Sequence, residues 1–233
     1  MKKIIIILTA FILCAHAGFA YEMTNEELLQ DISVQNLIDN TAYELLNAGQ
    51  IKKRMIFTYD KESKKKLLKA NESLTKRQVL IYGDTIKKIA DKNELAALIA
   101  REIVKVDASY WGYFKGHVGS AQIRFAPKKY EIYFDSAAVD LMVKAGYNPI
   151  GMITFLHKVY PQKRSDFIAT SNLTSKRVMY VYEYIYKTYP EFLADNAYRE
   201  NKYYQNFLLT STENRAKFYE KMRTNSDEKI KYE

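Results

Sequence analysis

Arg101, Glu102 and Lys105 stand close together in the chain, the two cations four residues apart and the carboxylate beside the first. On a helix, residues four apart share a face, so both cations and the intervening carboxylate would project into one neighbourhood. A carboxylate so placed can act as a general base or help to hold a cation, but neither a guanidinium nor a protonated amine offers a metal a lone pair. Taken alone, the trio reads as a charged helix face. Residues that usually carry nucleophilic or metal chemistry are scarce elsewhere. His117 and His157 are isolated and read as surface or packed histidines. The single cysteine, Cys14, lies near the N-terminus, so residues 21–233 hold no thiolate nucleophile, disulfide framework or thiolate metal site.

The N-terminus has the tripartite plan of a secretory signal. Met1, Lys2 and Lys3 precede an apolar run from Ile4 to Ala15, and small residues then offer cleavage after Ala17 or Ala20. The run is short of the roughly 20 apolar residues that span a bilayer, so an uncleaved membrane anchor is the lesser alternative. The expected organisation is a signal peptide over residues 1–20 and one domain over 21–233, exported to a periplasmic or extracellular location. A net charge of +9 invites a nucleic-acid reading, but Lys and Arg are interspersed with Asp and Glu along helical patterns. No nucleic-acid partner is expected; peripheral attraction to anionic membrane or cell-wall polymers fits the charge better.

The elements that must position Glu102 follow from periodicity and caps. Thr24 with Glu27 forms a capping box, and the apolar spacing from Leu28 to Leu45 predicts a helix over 25–48. Met55–Tyr59 and Val79–Tyr82 are strand-like runs around a lysine-rich turn at 61–69. Asp91 with Glu94 forms another capping box, and from it a helix is expected to run through the alanine-rich stretch to about Tyr113. Pro127 and Gly146 bracket a helix over 128–144, and Asn148-Pro149 opens another through His157. Tyr180, Tyr182, Tyr184 and Tyr186 alternate as in a strand, but Val178, Val181, Tyr182 and Ile185 fit a helical stripe, and helix is the preferred reading of 175–189. The charged end, 228–233, is expected to fray.

Four segments, in order and spacing, resemble one family. Glu94-Leu95-Ala96-Ala97-Leu98-Ile99-Ala100 leading into Arg101-Glu102-Ile103-Val104-Lys105-Val106 is similar to E-L-A-A-V-L-A-H-E-I-A-H-V of the gluzincin metallopeptidases, family forty-eight, the group of HtpX, the CAAX prenyl endopeptidases and BepA. Glu131-Ile132-Tyr133-Phe134-Asp135 resembles that family's E-x-x-x-D. The stretch Val139 to Pro149 resembles L-M-x-x-A-G-Y-D-P, and Thr170-Ser171-Asn172 followed by Arg177 has the spacing of T-H-P-x-x-x-x-R. The departures fall on the ligands: Arg101 and Lys105 stand where the family has zinc histidines, and Ser171 stands where it has a substrate-side histidine.

The resemblance implies an α+β fold, a mostly helical minigluzincin-like metallopeptidase domain with a small β-sheet. It makes Glu102 a vestigial general base, Glu131 the third zinc-ligand position, Asp135 its supporting carboxylate and Arg177 a vestigial site residue. It also implies a substrate cleft beside a sheet edge, with Val79 and Ile81 on the candidate edge strand. Tyr110 and Trp111 would pack the core edge or line that cleft, and Ser171 would face it. No cofactor is expected, zinc being required only if the family's activity persists. Arg101 and Lys105 would then supply the positive charge that a lost dication once gave to Glu102, Glu131 and Asp135. The expected function is that of a catalytically inactive pseudopeptidase binding an envelope protein or peptide segment. The alternatives are an active metalloendopeptidase with an unconventional metal site, recruiting Glu131, Asp135 and His117, and a structural envelope protein.

Overall fold

A computed structural model of the chain describes residues 25–61, 71–73, 77–109, 121, 123, 125–160, 162, 172–194, 197–226 and 229–233. The expected signal segment, His117, Tyr110, Trp111 and Ser171 lie outside the described residues. Compact packing divides the chain into Met1–Ser33 and Val34–Glu233, and the core described below belongs to the second unit.

The elements run α1 (Asn25–Ala48), β1 (Ile56–Asp60), β2 (Asn71–Ser73), β3 (Gln78–Tyr82), α2 (Gly83–Ile86), α3 (Lys92–Ala108), α4 (Pro127–Lys144), α5 (Ile150–Val159), α6 (Thr174–Thr188), α7 (Glu191–Ala194), α8 (Lys202–Thr210) and α9 (Thr212–Thr224). The domain is mostly helical with a small, open β-sheet. No described helix is long and apolar enough to cross a membrane.

Helix α3 is the centre. Every residue from Glu94 to Val106 is buried, because α4 and α5 both pack against it and α6 in turn packs on α4 and α5. Its start is fixed by Asp91, whose side chain accepts from Glu94 N at 2.9 Å. Glu94 does not close a capping box on Asp91; its Oε2 accepts from Ala90 N at 2.7 Å and from Lys158 Nζ at 2.7 Å, tying α3 to α5. Alanines at 96, 97 and 100 leave room for the neighbours to approach. One close approach is at Gly151 of α5, where an added Cβ would lie 2.9 Å from Asn93 O. Helix α4 ends as its sequence predicts. Gly146 adopts φ +81, Tyr147 N donates to Met142 O and Gly146 N to Val143 O, the paired bonds of a Schellman exit.

In the sheet, β3 is the middle strand. It pairs in parallel with β1, with Phe57 opposite Val79 and Tyr59 opposite Ile81, and antiparallel with β2, with Glu72 opposite Val79. The expectation that Val79–Tyr82 forms an edge is therefore corrected, and Val79 and Ile81 are core residues with no exposed surface. The sequence hid β2 because Asn71–Ser73 is short, polar and without alternation. The outer edge of β1 is closed by one side chain. Gln35 Nε2 donates to Phe57 O at 3.1 Å and Gln35 Oε1 accepts from Tyr59 N at 2.8 Å. Those two groups flank Thr58, so the carboxamide bonds as one residue of a further parallel strand would.

Helix α6 follows the stripe and not the alternation, since Val178, Val181, Tyr182 and Ile185 are all buried. Burial against α4 and α5 decided between the two periods. Helices α8 and α9 add an aromatic layer, with Phe218 packed edge-on to Tyr186 at 5.1 Å. The end of the chain does not fray as expected: Tyr232 is 3% exposed, and residues 229–233 lie along α6 and α9.

Candidate functional site

Six charged residues singled out in the sequence converge. Arg101, Glu102 and Lys105 come from α3, Glu131 and Asp135 from α4, and Arg177 from α6, all six buried. The helix period places Arg101 and Lys105 on one face of α3 and Glu131 and Asp135 on one face of α4. The packing of α3 on α4, and of α6 on α4, brings those faces together.

Asp135 is the hub. Its Oδ1 accepts from Arg101 Nε at 2.7 Å and from Arg177 Nη2 at 2.9 Å, and its Oδ2 accepts from Arg177 Nε at 2.8 Å. Arg177 thus makes the planar two-bond fork that guanidinium geometry favours on a carboxylate. Glu102 receives Arg101 Nη1 on Oε1 at 3.3 Å and Lys105 Nζ on Oε2 at 2.8 Å. Glu131 Oε1 lies 3.8 Å from Arg177 Nη1, while its Oε2 accepts from the backbone and side-chain nitrogens of Asn172 at 2.7 and 3.0 Å. The same Asn172 amide donates to Lys128 O at 2.8 Å, fixing the chain that leads into α6.

Tyr160, at the end of α5, completes the cluster. Its hydroxyl accepts from Arg101 Nη1 at 3.0 Å, and its ring centroid lies 4.4 Å from Arg177 Cζ and 5.4 Å from Arg101 Cζ. One aromatic ring therefore serves two guanidiniums, a cation–π arrangement that gains strength where water is excluded.

Three cations face three carboxylates, so burial leaves no net formal charge within the set. Burial would push the Asp135 carboxyl up, yet Arg177 and Arg101 hold it below the ordinary carboxylate range. Burial would lower the Arg101 guanidinium, but Tyr160, Asp135 and Glu102 raise it well above its ordinary value.

The donor set does not fit the zinc ion that the family resemblance implies. At the two histidine positions the nitrogens of Arg101 and Lys105 donate to carboxylates, and cationic nitrogen has no lone pair to offer. Both oxygens of Glu102, the expected general base, accept from cations. Among the described residues no three His, Cys, Asp or Glu side chains are grouped so as to hold a metal. His157 sits on α5 against Tyr203, ring centroids 6.1 Å apart, with burial lowering its pKa; it is a packed histidine.

Tyr160 and the role of Asn172 were not read from the sequence. Asn172 matches a glycosylation pattern, which says nothing of its contact with Glu131, and no local signal marks Tyr160. Comparison with protein-family models, curated proteins and solved structures finds no match for this chain.

Proposed function

We propose that this chain is a degenerate relative of the gluzincin metallopeptidases, exported to a bacterial envelope, where it acts without hydrolysis as a binding scaffold for envelope proteins or peptide segments. The observation that carries the proposal is the pairing of Arg101 with Asp135 and of Lys105 with Glu102. Cations at the two histidine positions, bonded to the carboxylates that would otherwise serve a metal, account for how such a fold could lose its zinc and keep its core. The proposed location rests on the Met1–Ala20 segment.

A second reading, a structural envelope protein, is favoured by the sheet. Strand addition at β3 is closed because β3 is central, and Gln35 occupies the outer side of β1. An active peptidase with an unconventional metal site would need one of the paired carboxylates to be released.

The test is metal content by plasma mass spectrometry, after exchange of the purified mature chain through zinc-containing and then metal-free buffer, beside a peptide-hydrolysis assay. Essentially no retained zinc and no cleavage are expected. About one tightly held zinc per chain, as in a working gluzincin site, would overturn the proposal.

A further inference from the structure

Residues 21–233 carry a net charge of +7, Lys2 and Lys3 accounting for the rest of the chain's +9. Residues 52–77 alone hold ten Lys and Arg against Asp60, Glu62 and Glu72, again a net +7, so everything outside that stretch is balanced. The sheet fixes where this excess is tethered. Strands β1 and β3 are parallel, with Asp60 opposite Tyr82, so both finish at the same end of the sheet. Lys61 follows β1 there, its carbonyl oxygen 2.8 Å from where a Cβ on Gly83 would stand. Strand β2 begins at that end too, with Asn71 opposite Leu80. Residues 62–70, which include Lys64, Lys65, Lys66 and Lys69, lie outside the described residues, but the residues flanking them, Lys61 and Asn71, are both fixed at this end. The turn that closes α2 adds the exposed Lys87 and Lys88, of which Lys87 lies 3.4 Å from Asp84. The β1 flank of the sheet has the other sign. There Gln35 seats α1 on β1, and from Val34 to Ala48 that helix carries Asp39 and Glu44 and no Lys or Arg.

Eight of the ten cations are lysines, point charges suited to diffuse attraction and not to the forked recognition of one phosphate that arginine gives. Residues 61–77 contain no aromatic side chain on which a base could stack, which argues against single-stranded nucleic acid. Apolar side chains accompany the charge, since Leu67-Leu68 stands in the sequence between Lys66 and Lys69. Lysines around an apolar pair suit a phospholipid interface, which offers phosphate and hydrocarbon together, whereas a wall polymer offers the charge alone. We infer that the end of the sheet marked by Lys61, Asn71 and α2 is a docking surface for the anionic phospholipid headgroups of a membrane, and that the lysine-rich connection between β1 and β2 supplies most of the attraction. The surface docks in one orientation, because turning the α1 flank to the membrane would set Asp39 and Glu44 against the phosphates.

The inference rests on the proposed function for the envelope location alone, and vesicle binding and zinc content test the two separately. The probe is a sedimenting vesicle of phosphatidylcholine with about one third phosphatidylglycerol, mixed with the purified mature chain. Vesicles of phosphatidylcholine alone, and soluble poly(glycerol phosphate), which has the phosphodiesters without the hydrocarbon, are the comparisons. Binding to the anionic vesicle only is expected, weakening about tenfold or more between roughly 0.1 and 0.5 M salt. Lys64→Gln, Lys65→Gln, Lys66→Gln and Lys69→Gln together should weaken it about a hundredfold or more, at roughly fivefold per lysine. Lys202→Gln, Lys217→Gln, Lys229→Gln and Lys231→Gln remove the same charge from exposed positions elsewhere and should change it by less than about threefold. Lys87→Gln with Lys88→Gln, on α2, should weaken it about tenfold, and this double variant decides the matter where thermal unfolding shows the first set to be misfolded. Absence of vesicle binding, equal loss in the two fourfold variants, or unchanged binding by a folded Lys87→Gln with Lys88→Gln would overturn the docking surface. Binding to poly(glycerol phosphate) as tight as to the vesicle, at equal phosphate, would make a wall polymer the partner and overturn the assignment to lipid.

Discussion

Arg101 Nε donates to Asp135 Oδ1 across 2.7 Å, joining the central helix to α4 through a bond with almost no solvent access. Asp135 also receives Arg177, so one carboxylate locks three helices. A buried ion pair of this kind is not in itself a large source of stability, because desolvation offsets the attraction. Its removal from one side only is costly.

Asp135→Asn is accordingly expected to destabilise the chain by about 3–5 kcal/mol, since both guanidiniums stay buried and lose their hub. The same residue sets an acid limit. A carboxylate whose folded pKa is depressed contributes stability that is present above its ordinary value of 3.8 and is lost as pH falls through the lowered value. Melting temperatures followed into acid should fall steeply in the parent chain, with this component missing in Asp135→Asn. An Asn variant as stable as the parent would refute the hub role.

The double variant Arg101→His with Lys105→His tests ancestry. With Glu131 as third ligand it should bind about one zinc ion and melt higher in zinc than in chelator, whereas the parent should melt alike in both. Failure of a folded double variant to take up zinc would argue that positions 101, 105 and 131 were never a metal site.

Gln35→Ala should cost about 1 kcal/mol from the lost pair of bonds and leave Phe57 O and Tyr59 N on an open strand edge. Sedimentation velocity should then detect concentration-dependent self-association. A monomer as well behaved as the parent would mean that something other than Gln35 guards that edge.

Tyr147 and Tyr189 are each pushed up to about 12, by burial first and then by hydrogen bonds to Glu44 and Asp140 respectively. A raised folded pKa contributes stability that is complete below the ordinary 10.0 and is lost as pH climbs towards 12. Ultraviolet titration should therefore find tyrosines that ionise late, together with alkaline unfolding; Tyr189→Phe should lower the number of late tyrosines by one.

Gly151→Ala should destabilise despite the better helix propensity of alanine. The new Cβ would stand 2.8 Å from Asn93 C and 2.9 Å from Asn93 O, backbone atoms that cannot swing aside. A rise in melting temperature would show that α5 can slide away from α3 at little cost.

Local rules read directly from the sequence account for much of the fold. The capped start of α3, the Pro127 and Gly146 limits of α4 and the helical period of α1 each depend on residues within a few positions of one another, and α1 spans 25–48 as its apolar spacing predicts. Of the charged residues that converge, Arg101, Glu102 and Lys105 share a helix face by period, whereas Glu131, Asp135 and Arg177 were singled out by the resemblance of their segments to one family and not by any local pattern. Everything that joined distant segments was decided by tertiary structure. β2 has no apolar pattern and forms only because β3 offers it a partner, which in turn makes β3 central and buries Val79 and Ile81. Tyr160 reaches Arg101 and Arg177 only once α5 lies across α3 and α6, Gln35 finds β1 only in the folded chain, and Tyr232 finds Tyr180 and Glu183 only where the end of the chain lies along α6. Propensity and capping act over one or two turns, whereas a buried charge is satisfied by whichever partner the packing brings within hydrogen-bonding distance.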